Sequence, residues 1–143
     1  MNRKDLILAA LSPKPDPVYS PAQIQKLLFV IDQEIGEELG GPFFKFIAYH
    51  YGPFDQSIYS DLLELRNDGF IKQIDPFINS VRKYKLTTMG KEKGTELLNC
   101  LDRKHIQYIK DLNAFITGLS FIQLISTIYK YYPAMKVNSV FQT

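Results

Sequence analysis

The chain has no tryptophan, one cysteine and two histidines. With Cys100 alone an intrachain disulfide is impossible, which suits a reducing, cytoplasmic setting. Because it lies inside the apolar run Leu97-Leu98-Asn99-Cys100-Leu101, Cys100 is expected to be a buried structural thiol rather than a nucleophile. His50 and His105 stand alone, outside any metal-ligand spacing such as His-x-x-x-His. No phosphate-cradling loop is legible: Gly40-Gly41 lacks the following Lys and Ser/Thr and reads as a helix stop. No apolar run reaches the roughly 20 residues that a bilayer span needs. The opening segment sets Arg3, Lys4 and Asp5 around a short apolar run, unlike a signal peptide. Strong charge is also missing. Seventeen basic and fifteen acidic residues leave a formal +2, so any nucleic-acid contact requires local segregation of charge. These absences leave no catalytic residue, metal ligand or cofactor site to nominate, and the chain is read as non-enzymatic.

What is present is globular: 143 residues, 45% hydrophobic and 22% charged, the proportions of one soluble domain. Arg3–Leu11 can form a short helix, closed by the proline-rich loop from Ser12 to Pro17. The next helix opens with Ser20 as N-cap and Pro21 at the first helical position. It carries Ile24, Leu27, Leu28, Ile31, Ile35 and Leu39 at three-and-four spacing and stops at Gly40-Gly41-Pro42. Phe43–Tyr51, aromatic and bounded by Gly-Pro on both sides, is expected to be a short, largely buried strand or extended segment. Asp55 or Ser57 can cap a helix through Asn67, with Gly69 placed to end it. Phe70–Asp75 and Val81–Thr87 read as two strands, the second with Tyr84 and Leu86 on one face and Lys83 and Lys85 on the other. A helix from Thr87 or Thr88 to about Leu101 follows. Two amphipathic helices carry Ile106, Ile109, Leu112 and Ile116, then Phe121, Leu124, Ile125 and Ile128, and the tail from Pro133 has no periodicity.

The expected class is therefore α+β, mostly helical. The order of elements, with Leu65-Arg66-Asn67-Asp68-Gly69-Phe70-Ile71 leading into the hairpin and Tyr84-Lys85-Leu86-Thr87-Thr88-Met89-Gly90 leading out, resembles a winged-helix domain over roughly residues 20–93. Residues 94–132 are then added helices and 133–143 a tail. Within this, Gln25-Lys26-Leu27-Leu28-Phe29 followed by Tyr51-Gly52-Pro53-Phe54 and a Leu-rich helix is similar to the Panacea (SocA-like) antitoxin domain. That resemblance implies a bacterial or phage protein that neutralises a partner toxin, or a proteolytic adaptor.

Charge separates two readings. The helix before the hairpin, the usual major-groove reader, has Asp55, Asp61, Glu64 and Asp68 against Arg66 alone. The helix from Ser20 sets Asp32, Glu34, Glu37 and Glu38 against Lys26, so both would repel phosphates. The hairpin and the start of the next helix are basic, and Lys72, Arg82, Lys83 and Lys85 form a candidate binding wing. The leading reading is a non-catalytic regulatory or antitoxin-like adaptor that binds a protein partner, such as a toxin or a protease-related protein, with no membrane role. The other is a transcription regulator touching DNA mainly through its wing. Tyr49-His50-Tyr51 is a possible contact cluster, although its rings are expected instead to fill the core around a rigid Gly52-Pro53 turn. Phe121, Leu124, Ile125 and Ile128 are expected to form an uncovered stripe that pairs two copies in a homodimer, the alternative being a monomer whose last two helices fold as an antiparallel hairpin over the domain.

Overall fold

A computed structural model describes residues 1–74 and 82–141. The architecture is α+β and mostly helical, as expected. In chain order the elements are α1 (Arg3–Leu11), β1 (Val18–Tyr19), α2 (Pro21–Ile35), β2 (Ile47–Tyr49), β3 (Gly52–Phe54), α3 (Ser57–Asn67), β4 (Ile71–Ile74), β5 (Lys83–Leu86), α4 (Thr88–Asn99), α5 (Arg103–Thr117) and α6 (Phe121–Tyr131). Short 3-10 turns cover Glu37–Leu39 and Pro133–Lys136.

The core starts earlier in the chain than residue 20. Asn2 caps α1 by accepting from the Asp5 amide at 2.8 Å, and Leu6 through Leu11 are all buried. A helix enclosed on every side has no polar stripe, which is why periodicity said little about it. α4 approaches closely enough that a β-carbon on Gly94 would lie 2.3 Å from the Leu8 carbonyl oxygen, so only glycine fits there. Tyr19 joins three elements. Its hydroxyl donates to Leu11 O at 2.6 Å and accepts from Asn113 Nδ2 at 2.9 Å, while the same amide donates to Ala10 O at 2.8 Å. Burial raises the Tyr19 pKa above the ordinary phenol value, against the lowering effect of Asn113.

β1 was not legible in the sequence, being two residues after a proline run. It pairs antiparallel with β5 (Val18 with Lys85, Tyr19 with Tyr84), and β5 pairs with β4 (Ile71 with Leu86, Lys72 with Lys85), giving the order β1-β5-β4. Tyr84 and Leu86 face inward as their alternation required. The expected loop between the two hairpin strands, with Asp75 and Val81, lies outside the described residues. α3 ends where Gly69 permits it, at φ 84°. The Phe70 amide donates to Leu65 O and the Gly69 amide to Arg66 O, the paired bonds of a Schellman stop. Thr87 caps α4 by accepting from the Gly90 amide at 3.0 Å.

Several expectations are corrected. The helix expected to run to Leu39 ends at Ile35, and the chain turns through Gly40 at φ 103°. The turn brings the amides of Phe43 and Phe44 back onto the Asp32 carboxylate at 2.8 and 3.1 Å. Of the expected strand or extended segment over 43–51 only Ile47–Tyr49 is strand, and its partner is β3, so Gly52-Pro53 lies in a strand and His50-Tyr51 makes the turn. Cys100 is exposed at the C-cap of α4, because the helix ends at Asn99 and turns its last residue outward. The stripe expected to be uncovered is covered: Leu124, Ile125 and Ile128 are buried within the chain, with α6 packed on α2, and Phe121 alone remains exposed. Among the described residues no helix is long and apolar enough to cross a membrane.

Candidate binding site

α2 builds the floor of the site. Its N-terminus is fixed by a reciprocal capping box, in which Ser20 Oγ accepts from the Gln23 amide and Gln23 Oε1 from the Ser20 amide. One turn on, Gln25 is buried and holds both backbone groups of Asp55: Nε2 donates to Asp55 O and Oε1 accepts from Asp55 N, each at 2.9 Å. Asp32, seven residues later on the same face, holds Phe43 and Phe44. The segment from Phe43 to Asp55 is thus tied to α2 at both ends. The Asp55 side chain secures the exit, accepting from Lys45 N and from Ser57 N and Oγ. Burial works against that carboxylate, but these hydrogen bonds and the Arg3 charge outweigh it and hold its pKa below the usual value.

Between the two ties rises the β2–β3 hairpin. The tail braces it from outside. Val140 N donates to His50 O at 2.9 Å, Asn138 Nδ2 to Ala48 O at 3.0 Å, and Tyr129 OH to Ser139 Oγ at 2.6 Å. Gly52, at φ 97°, packs under Tyr129 and Ile128 and beside the Lys26 stem. The hairpin therefore stands fixed, with its aromatic tip outward. Tyr49 is 43% and Tyr51 46% exposed, so these rings do not fill the core as expected. Tyr49 stacks between His50, with centroids 4.2 Å apart, and Phe54, at 5.0 Å, while Tyr51 meets Phe121 edge-on at 5.4 Å.

These rings border an open cavity of about 630 Å³ between the β2–β3 hairpin, the start of α2, α6 and the start of β5. Lys26 lines its floor with a relative exposure of only 4%. Its Nζ donates to Pro53 O at 3.3 Å, and among the described residues no carboxylate pairs with it. Burial pulls its pKa down from 10.5 to about 8. Lys83 stands at the rim, and among the described residues no Asp or Glu lines the cavity.

Residues expected in three separate roles thus meet at one place: Tyr49, His50 and Tyr51 of the contact cluster, Lys83 of the wing and Phe121 of the dimer stripe. Lys72, Arg82 and Lys85 do not line the cavity. Lys72 and Lys85 lie opposite each other on the outer face of the hairpin, with Lys85 paired to Asp16 at 3.4 Å. Lys26 was missed as a site residue. The acidity of α3 is also smaller than its own residues suggest, since Asp61 pairs with Arg3 at 2.6 Å and Glu64 with Lys4 at 3.3 Å. His105 is buried and meets Glu38 at 3.1 Å; that hydrogen bond, with the Lys104 charge, lowers the Glu38 pKa. It lies outside the cavity. Among the described residues no three His, Cys, Asp or Glu side chains are grouped to hold a metal ion. Comparison with protein-family models gave no match, and comparison with curated proteins gave none either.

Proposed function

We propose that the chain is a non-catalytic, antitoxin-like regulatory adaptor on a winged-helix frame, acting in the cytoplasm by binding a protein partner. The observation that carries this reading is the cavity, whose aromatic rim is held in the open by the bonds from α2 and the tail. Tyrosine rings fixed at a surface supply contact area at little conformational cost, the usual anchors of protein recognition. The helix, strand, helix, helix and hairpin order, with sheet order β1-β5-β4, supports the frame. The residues behind the Panacea resemblance also work together here: Gln25 and Lys26 bond the segment that contains Gly52, Pro53 and Asp55.

A pull-down from the native host with wild-type and Tyr49→Ala/Tyr51→Ala proteins tests this. The double variant is expected to lose the captured partner while its thermal midpoint moves little, because both rings are substantially exposed. Full capture by the variant would remove the hairpin tip from the interface.

The DNA reading keeps one specific support, the three lysines Lys72, Lys83 and Lys85 on the outer face of the β4–β5 hairpin. It predicts binding to random duplex DNA in a low-salt gel shift, falling steeply as salt is added. Arg82→Glu/Lys83→Glu/Lys85→Glu would abolish that binding. No shift at low salt favours the adaptor.

A further inference from the structure

The cavity floor carries a feature that plain protein docking does not require. An apolar groove recognising apolar side chains is best lined by apolar groups, because a lysine beneath it is a charge already desolvated by the fold that no apolar partner compensates. Here Lys26 sits in the floor with one long hydrogen bond to Pro53 O, so the ammonium has further N–H donors to offer. Lys83 at the rim has the same sign, and among the described residues no lining carboxylate neutralises either. The start of α2 opens into the same space through Pro21 and Ala22, adding the positive end of a 15-residue helix. The remaining walls are aromatic, from Tyr49, Tyr51, Phe54 and Phe121.

We propose that this cavity recognises a carboxylate carried beside an aromatic or aliphatic group on the partner's chain, with Lys26 as the cation that receives it. The inference rests on the adaptor reading and names the chemistry of the partner at that site. A carboxylate completes what Lys26 lacks: it accepts charge-assisted hydrogen bonds from a buried ammonium, and its apolar neighbour covers the tyrosine rings. Attachment to a chain rather than a free acid follows from the rim. With Tyr49 and Tyr51 nearly half exposed, the site is open on the outside and suits a segment that continues out of it.

The test is a two-dimensional NMR titration of the full chain with phenylacetate, using phenylacetamide as the uncharged control of the same shape. Phenylacetate is expected to shift the amides of Ala22, Tyr49, Tyr51 and Gly52. Phenylacetamide should bind about tenfold more weakly, as loss of a charged hydrogen-bond partner implies. Lys26→Met should remove the preference for the charged probe. Equal shifts from the two probes, shifts confined to other regions, or no shift with phenylacetate would each overturn the assignment. Failure here while Tyr49→Ala/Tyr51→Ala still loses the partner removes the carboxylate and leaves the docking surface standing. A positive titration with a double variant that keeps its partner separates the anion site from the adaptor interface.

Discussion

Lys26→Met is expected to make the protein more stable at pH 7, by about 2 kcal/mol, which corresponds to a thermal midpoint higher by roughly 5 °C for a chain of this size. The argument is one of linkage. The lysine has an ordinary pKa of 10.5 in the unfolded chain and about 8 in the fold. At pH 7 it is charged in both states, so the fold bears the whole cost of burying that charge, on the order of 3 kcal/mol. Methionine keeps the length of the side chain and removes the charge, at the loss of the Pro53 hydrogen bond, about 1 kcal/mol. The sign with pH follows. Between about pH 8 and 10 the unfolded chain binds more protons at this position than the fold does, so wild-type stability should rise with pH. Above pH 10 the trend reverses, because Tyr19 and Tyr132 have raised pKa values in the fold and ionise first in the unfolded chain. The variant should be flat between pH 8 and 10 and share the decline above it. Denaturant unfolding of both proteins at a series of pH values measures this. A Lys26→Met protein less stable than wild type at pH 7 would show that the ammonium stabilises the fold, and would remove the energetic contrast.

A residue that lowers stability while opening onto a cavity is the pattern expected where function, rather than folding, holds the side chain in place. The same contrast explains which parts of the molecule could be read from the sequence. Ser20-Pro21, Gly69 and Thr87 act through their own neighbours, and each appears where local chemistry placed it. The alternation of Tyr84 and Leu86 against Lys83 and Lys85 likewise needs only a pleat. α2 was harder, because the three-and-four spacing assumes one buried face. Residues 24–32 of that helix are buried throughout, enclosed by α1, α5, α6 and the 43–55 segment. Polar residues inside it look like an outer face until those coverings are known. The seven-residue step from Gln25 to Asp32 was a usable signal, since it puts two hydrogen-bonding side chains on one face two turns apart. The charge tally failed for a related reason. Arg3 and Lys4 lie far along the chain from Asp61 and Glu64, so counting within one helix misses the partners.

The hairpin tip shows the limit most directly. Tyr49, His50 and Tyr51 have the composition of a core strand, and a chain without tryptophan has reason to bury its tyrosines. What turns them outward is set elsewhere: the clamps from α2 below, and the tail from Asn138 to Val140 alongside. The tail has no periodic signature, and the Gln25–Asp32 step marks a face of α2 without naming the segment it holds. The convergence of Lys83 and Phe121 on the same rim is equally a product of tertiary packing, for they come from a strand and a helix that were read as serving different surfaces.

Gln25→Leu is expected to act in the opposite direction from its neighbour, destabilising the protein by about 2–4 kcal/mol and lowering the midpoint by roughly 10 °C. Leucine fits the space and suits a helix interior, so neither packing volume nor helix propensity accounts for the loss. The cost lies in the backbone of Asp55, whose N–H and C=O are both paired with the Gln25 amide in a buried setting. Removing that amide leaves one donor and one acceptor without partners and away from water, each worth about 1–3 kcal/mol. Because those bonds also hold the exit of the 43–55 segment, the β2–β3 hairpin should loosen together with the fall in stability. Hydrogen exchange would show this as lost protection at the strand amides of Ile47–Tyr49 and Phe54 ahead of global unfolding. Circular dichroism melts give the first quantity and exchange the second. A loss below about 1 kcal/mol, with hairpin protection unchanged, would mean that water replaces the amide at no cost and that the clamp does not position the site. With the expected loss, adjacent positions on one helix have opposite signs, Gln25 holding the cavity in shape and Lys26 lowering stability from within it.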